Sequence, residues 1–220
     1  PTSLERLPTR PSRRRVPQAC QLVEMAPKPG VSLFGYALCM VTTGVFDVKS
    51  NIPPEWRPNL RQPFTAYAIS SFFYTAVGLL TLFQIFLCPR AAPPGWPDGY
   101  ATAEAVLICL QGIWSYCSDV IFIGATSFAH PVDRFSAVTL TFFQVYKFGL
   151  YLRPVLGPVD RAWCGTTLAL GFGCKFADYQ AMQSRNLTMY RRSHFWWHVS
   201  LPLGFGTYCI YRWASCATCR

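Results

Sequence analysis

Six runs of mostly apolar residues, each close to the length needed to cross a bilayer, dominate this sequence. A transmembrane helix needs about 20 such residues. The runs cover residues 31–48, 65–88, 102–125, 134–153, 162–180 and 194–213. Because backbone polar groups inside hydrocarbon must bond within their own segment, such runs form helices. The sequence therefore predicts an all-α protein, a polytopic membrane helix bundle with about six transmembrane helices.

Composition supports a membrane protein and disfavours a soluble enzyme. Only 14% of the 220 residues are charged, whereas soluble domains usually carry about 25% charged residues. The net charge is +10, but the basic residues lie in the N-terminal 30 residues and between the apolar runs. That distribution is typical of cations that anchor helices at lipid headgroups. We therefore expect membrane lipids, and no nucleic acid, as partners.

The chain divides into three predicted regions. Residues 1–30 are rich in Arg and Pro and predict a disordered basic arm, with a transit peptide as the alternative. Residues 31–213 form the predicted transmembrane helical bundle, and residues 214–220 form a short tail. An even number of spans places both termini on one side, and the excess of basic residues there favours the cytosol.

Ionisable side chains within the apolar runs are the first candidates for function, because each costs at least ~2.5 kcal/mol at bilayer depth. They are Asp119, Lys147, Lys175, Asp178, His194 and His198. Asp119 lies near the end of span three and Asp178 near the end of span five. His130 precedes span four, and His194 and His198 begin span six. Because these ends share one membrane face, we expect the polar residues to converge in one leaflet.

The three histidines of the chain suit a metal site. His194 and His198 are four positions apart, so a helix places both rings on one face. A catalytic zinc keeps three protein ligands and one open position for water, and His130 would supply the third ligand. Asp119 is then a fourth ligand or the base that takes the water's proton. Ser115, one turn earlier, would orient Asp119 or donate a hydrogen bond to an oxyanion.

The same residues have structural interpretations. Histidines at the head of a span, beside Trp196 and Trp197, are typical of the aromatic belt at the headgroups. Buried carboxylates form ion pairs, and carboxylates at a helix start cap free N–H groups. These interpretations give an ion pair of Asp119 with Lys147 or Lys175, a capping role for Asp133 and a headgroup-level position for Asp178.

The motif His194-Phe195-Trp196-Trp197-His198, with Ser115, Asp119 and His130 before it, resembles the CREST superfamily of membrane hydrolases. That family includes alkaline ceramidases, adiponectin-type receptors and post-GPI-attachment lipases. Its members usually have seven spans and carry a Ser, a His four positions later, an Asp some eleven further on and a C-terminal HxxxH. Here the spacing is kept, but Asp119 stands at the His position and His130 at the Asp position.

The resemblance implies a zinc-bound water that attacks the amide or ester carbonyl of a lipid entering from the bilayer. It carries His194 and His198 over as zinc ligands and Ser115 as a member of the site, with the roles of Asp119 and His130 exchanged. The sequence thus predicts a ceramidase-like, zinc-dependent hydrolase. Two alternatives stay open: a non-catalytic membrane scaffold or accessory subunit, and a redox protein with His130 opposite His194 or His198 as axial haem ligands.

Overall fold

The computed structural model describes residues 52–87, 98–154 and 156–217, and these form helices and turns without a β-strand. The helices are α1 (Arg57–Leu60), α2 (Ala66–Ser70), α3 (Phe72–Leu87), α4 (Asp98–Tyr116), α5 (Ala129–Lys147), α6 (Pro158–Gln183) and α7 (Leu187–Ala217). A 3₁₀ turn at Pro54–Trp56 precedes α1, and π-helical turns at Cys117–Ile121 and Phe148–Leu152 follow α4 and α5. The all-α prediction is confirmed for this part of the chain.

Two of the described helical segments, Ala66–Leu87 and Tyr100–Ile121, are long and apolar enough to cross a membrane. Large apolar side chains of α3, including Leu79, Phe83 and Phe86, are exposed, as expected of a surface that faces lipid or a partner. The six-span arrangement stays a prediction. The predicted arm 1–30 and first span 31–48 lie outside the described residues.

Glycines hold α3 and α4 at a close distance. A Cβ atom on Gly78 would lie 2.5 Å from the sulfur of Cys109, and one on Gly112 would lie 2.7 Å from the carbonyl oxygen of Ser71. Thr75 Oγ1 donates to the Cys109 carbonyl at 3.0 Å across the same contact. Small residues allow helix backbones to approach in this way, so the α3–α4 pair is a tightly packed unit.

Two helix boundaries differ from the predicted spans. The third span was predicted to end at residue 125, but its helix ends at Ile121 and the chain turns through Gly124, whose φ is +78°. A Cβ atom there would also collide with the side chain of Arg57. The last helix starts at Leu187 and continues to Ala217, into the predicted tail. Apolar runs mark only the hydrocarbon part of a helix, so its polar ends are missed.

A cluster of buried side chains closes one end of the bundle. It joins α1, α2, the first π-helical turn, the end of α6 and the start of α7, through Trp56, Leu60, Tyr67, Ala68, Val120, Ile123, Ala181 and Tyr190. Arg61 donates to the Ile123 carbonyl at 3.0 Å, and Arg57 donates to the Gly124 carbonyl at 3.4 Å. These bonds cap the carbonyls that follow the π-helical turn. The cluster therefore places the π-helical turn beside the first turns of α7.

Candidate metal centre

Three buried or half-buried side chains meet at this end of the bundle: Asp119, His194 and His198. Nε2 of His194 lies 3.0 Å from Oδ2 of Asp119, and Nε2 of His198 lies 3.8 Å from the same oxygen. One ligand atom from each residue lies within 4.8 Å of the others. His194 is 5% exposed and His198 2% exposed. This group can hold a metal ion.

Helix α7 supplies both imidazoles, as the i, i+4 spacing predicts. The ring centroids of His194 and His198 are 4.4 Å apart. Both rings point into the bundle, whereas Trp196 between them is half exposed. The interpretation of these histidines as headgroup anchors therefore does not describe their position. Pro202 lies inside α7, and because proline has no N–H, the carbonyl of His198 loses its helical partner.

Asp119 lies in the π-helical turn Cys117–Ile121, which continues α4. A π-helical turn adds a residue to the helical register and is frequent at functional sites. Ser115, four residues earlier, lies on the same side, and its hydroxyl donates to Oδ2 of Asp119 at 3.4 Å. The same hydroxyl lies 3.2 Å from Nε2 of His198. Ser115 is thus brought to the group, as the sequence spacing indicated.

The hydrogen bond of His194 to Asp178 fixes the tautomer of its ring. Nδ1 of His194 lies 3.0 Å from Oδ2 of Asp178, and an ionised carboxylate only accepts hydrogen bonds. Nδ1 therefore carries a proton. Asp178 is itself held by the Ser193 hydroxyl and lies 3.7 Å from Nζ of Lys175. Asp178 is thus a buried partner of a candidate ligand, not the headgroup-level carboxylate that the sequence predicted.

Helix α2 fixes the tautomer of His198 in the same way. The hydroxyl of Ser70 donates to the Tyr67 carbonyl at 2.6 Å, so its hydrogen is committed. Nδ1 of His198 lies 3.1 Å from this oxygen and must therefore donate to it. The hydroxyl of Ser71 lies 3.4 Å from the same nitrogen. Such outer partners orient metal-ligating histidines in known metal sites.

Together these bonds direct two lone pairs at one carboxylate. With Nδ1 protonated in both rings, each neutral imidazole offers an unprotonated Nε2 on the Asp119 side. Two nitrogen acceptors and a carboxylate oxygen cannot bond one another, so a proton or a metal ion must lie between them. Two histidines and one carboxylate form a ligand set of catalytic zinc and also of non-haem iron. The donor chemistry therefore fits a metal without selecting zinc.

The structure does not bring His130 to this group. Its Nδ1 lies 2.9 Å from the Ser118 hydroxyl, and its Nε2 lies 3.2 Å and 3.0 Å from the carbonyls of Phe122 and Ala125. His130 thus closes the turn that follows the π helix, because the chain reverses there before α5. The three-histidine set predicted from the sequence is replaced by a carboxylate and two histidines. The haem alternative also required His130 opposite α7, where the structure does not place it.

Asp133 is a site residue that the sequence analysis missed. It was interpreted as a cap of span four, but α5 begins earlier, at Ala129, so Asp133 lies one turn inside the helix. Nε2 of Gln111 donates to its Oδ1 at 2.7 Å. Burial, and next the negative charge of Asp119, raise the pKa of Asp133 to about 7, although the Ser115 hydroxyl opposes this shift. Its position at the head of span four, three residues after His130, was the available indication.

The lysines do not pair with Asp119, as one structural interpretation expected. Nζ of Lys147 lies 2.7 Å and 2.8 Å from the carboxylate oxygens of Glu104, and both side chains are buried. Gln144 also donates to this carboxylate. Lys175 lies near Asp178 and over the ring of Trp197 at 5.3 Å. Asp119 is therefore left to the two histidines and Ser115.

Comparisons of the chain with family models, with curated proteins and with solved structures found no match. The resemblance to the CREST superfamily stays an expectation from the sequence motif. The centre is defined by its own geometry, which is a carboxylate on a π-helical turn facing two buried imidazoles.

Proposed function

We propose that this chain is an integral-membrane, metal-dependent hydrolase that cleaves an amide or ester bond of a lipid. Asp119, His194 and His198 would hold the metal, and we propose zinc. The observation that carries the proposal is the pair of Nε2 lone pairs aimed at one carboxylate. Each imidazole is fixed by a hydrogen-bond partner on Nδ1, Asp178 for one and Ser70 for the other.

Three protein ligands suit catalysis because a catalytic zinc keeps its fourth position for water or substrate. A zinc ion bound here would lower the pKa of a water molecule to about 7 and polarise a carbonyl group. The side chain of Asp119 is 18% exposed, against 6% and 3% for the two histidines. The carboxylate side of the group is therefore the side from which a substrate would approach.

Asp133 is the proposed general base. A base must lie within hydrogen-bond reach of its proton, directly or through one water molecule, and works best when its pKa is close to the working pH. Ser115 lies between Asp133 and the metal group, since its hydroxyl interacts with Asp133 and Asp119. Gln111 holds the base in place. We propose that Asp133 accepts the proton of the attacking water and that Ser115 orients Asp119.

A lipid substrate is supported by the composition and by the apolar exterior. Two helices can cross a membrane by length and composition, and large apolar side chains of α3 are exposed. The resemblance to ceramidase-like hydrolases points to an amide or ester. The multi-pass arrangement, with both termini in the cytosol, is part of this proposal.

The ligand set favours a second candidate, a non-haem iron site. Two histidines and one carboxylate with open positions are typical of Fe(II) oxygenases. Metal analysis of the full chain, purified in detergent without chelator, separates the two candidates and tests both. We expect about one zinc per chain. Iron at that level would favour the second candidate, and less than about one tenth of any transition metal per chain would contradict both and favour a non-catalytic scaffold.

A further inference from the structure

The hydroxyl of Tyr67 is buried without a hydrogen bond. Among the side chains that the structure describes, it is the one buried nitrogen or oxygen atom in this condition, and Tyr67 as a whole is 2% exposed. An unsatisfied buried polar group costs about 1–3 kcal/mol, so each case needs an explanation. Phenylalanine would fill the same core position without this cost.

Tyr67 lies directly against the candidate metal ligand His194. The centroids of the two rings are 5.0 Å apart and their planes are inclined by 33°. Tyr190 packs on the same imidazole at 5.3 Å, and its phenol approaches Tyr67 without forming a hydrogen bond with it. The charge of Asp119 acts on the Tyr67 phenol more strongly than that of Asp178. The hydroxyl is therefore on the Asp119 side of His194, where the substrate is proposed to approach.

The backbone around Tyr67 ties this phenol to the second histidine as well. The carbonyl of Tyr67 accepts the hydroxyl of Ser70, which in turn accepts Nδ1 of His198. Helix α2 is capped by Thr65, whose hydroxyl oxygen accepts from the Ala68 N–H at 3.3 Å. One short helix thus positions both the His198 ring and the phenol, so the phenol is fixed before any substrate binds.

We propose that the Tyr67 hydroxyl donates a hydrogen bond to the substrate oxygen on which negative charge develops during hydrolysis, which makes Tyr67 a catalytic residue. This inference rests on the proposed hydrolase function. A fixed donor aimed at developing charge stabilises a transition state because no reorganisation is needed at that moment. Ser115, the donor expected from the sequence, is less suited because its hydroxyl is directed at Asp119. The free donor is on Tyr67.

The test compares Tyr67→Phe with Tyr74→Phe in the full chain loaded with cobalt(II) in detergent. Tyr74 is the matched control because its buried ring contacts the other histidine, His198, at 5.8 Å. Acetate serves as the probe, since its carboxylate brings negatively charged oxygen to the metal group, and the visible spectrum of cobalt reports binding. The thermal midpoint of the metal-free protein is measured in parallel.

We expect Tyr67→Phe to bind cobalt as the wild type does and to bind acetate at least about tenfold more weakly, the loss of a hydrogen bond to a charged group. Tyr74→Phe should bind acetate like the wild type. The thermal midpoint of Tyr67→Phe should not fall, because no internal hydrogen bond is lost. Unchanged acetate affinity, or a clearly lower midpoint, would overturn the inference while leaving the metal site intact. A wild-type protein that takes up no cobalt would contradict the proposed function itself, and this inference with it.

Discussion

Nδ1 of His194 lies 3.0 Å from Oδ2 of Asp178, while Nε2 of the same ring lies 3.0 Å from Oδ2 of Asp119. One imidazole therefore joins two carboxylates that come from different helices. The bond to Asp178 sets which nitrogen carries the proton, and the nitrogen facing Asp119 is left for a metal. Asp178 thus acts on the centre without being a ligand.

Replacing Asp178 with alanine should weaken metal binding without removing a ligand. Loss of an outer partner of a metal-bound histidine typically lowers affinity about 10–100-fold. Titration of the metal-free protein with zinc, against a competing chelator, measures the change. Glu55→Ala is the control, since Glu55 forms an exposed ion pair with Arg185. Equal zinc affinities of the two variants would contradict the role given to Asp178.

The two kinds of histidine should separate cleanly in metal content. His194→Ala and His198→Ala each remove a ligand, so the purified variants should contain less than about one tenth of the wild-type metal. His130→Ala should keep its metal, because both ring nitrogens of His130 bond to the turn that follows the π helix. Metal loss in His130→Ala, in a variant that stays folded by circular dichroism, would restore the three-histidine hypothesis.

Hydrolysis should rise with pH through about 7. The pKa of Asp133 is raised to about 7 by burial and by Asp119, against the opposing influence of Ser115, Lys175 and His194. Below that pH its carboxyl is protonated and cannot accept a proton, so kcat/KM should fall as the pH falls. The profile is measured with a short-chain ceramide and a matching ester in mixed micelles.

The variant Asp133→Asn assigns this acid limb. We expect kcat/KM to drop by about 10²–10⁴-fold, the usual contribution of a general base, and the limb near pH 7 to disappear. Metal content should be unchanged, since Asp133 is not a ligand. A limb of the same shape in Asp133→Asn would assign the titration to another group.

The buried ion pair of Glu104 and Lys147 should behave as a coupled unit. Lys147→Met alone leaves a buried carboxylate without its cation, and breaking such a pair costs about 3–5 kcal/mol. Glu104→Leu combined with Lys147→Met should recover most of that loss. Unfolding in detergent by denaturant titration gives the double-mutant cycle. Additive effects of the two single substitutions would show that the residues do not interact.

Gly112→Ala should destabilise the α3–α4 pair. The added methyl group would lie 2.7 Å from the Ser71 carbonyl oxygen and 2.8 Å from the Thr75 nitrogen, and overpacking of this kind costs about 1–3 kcal/mol. Gly173→Ala is the control, because nothing lies within 4 Å of a Cβ atom at that position. It should be neutral or slightly stabilising, since alanine favours helix more than glycine does. Thermal midpoints of the two variants should therefore move apart.

The sequence alone could predict those parts of the site that depend on spacing within one helix. The shared face of His194 and His198, and the proximity of Ser115 to Asp119, follow from helical periodicity. The position of His130 does not, because it depends on where the π-helical turn ends and how the chain reverses. A count of apolar residues gives no information on either.

Pairing between helices was the other limit. Glu104 escaped notice because it lies near the start of an otherwise apolar run, and its partner Lys147 is 43 residues further along the chain. Asp178 was placed at the headgroups because α6 was expected to end at residue 180, whereas it continues to Gln183. Three further residues place the carboxylate about one turn deeper in the helix, within reach of His194.

The π-helical turn at Cys117–Ile121 has a consequence for how the two ends of its helix can vary. One added residue rotates everything beyond it by about 100° around the helix axis. The surface that α4 presses against α3 is thereby independent of the direction in which the following carboxylate points. Substitutions along the packed half of this rod are therefore free to accumulate without redirecting Asp119, and loss of a single residue within the turn would redirect it at once.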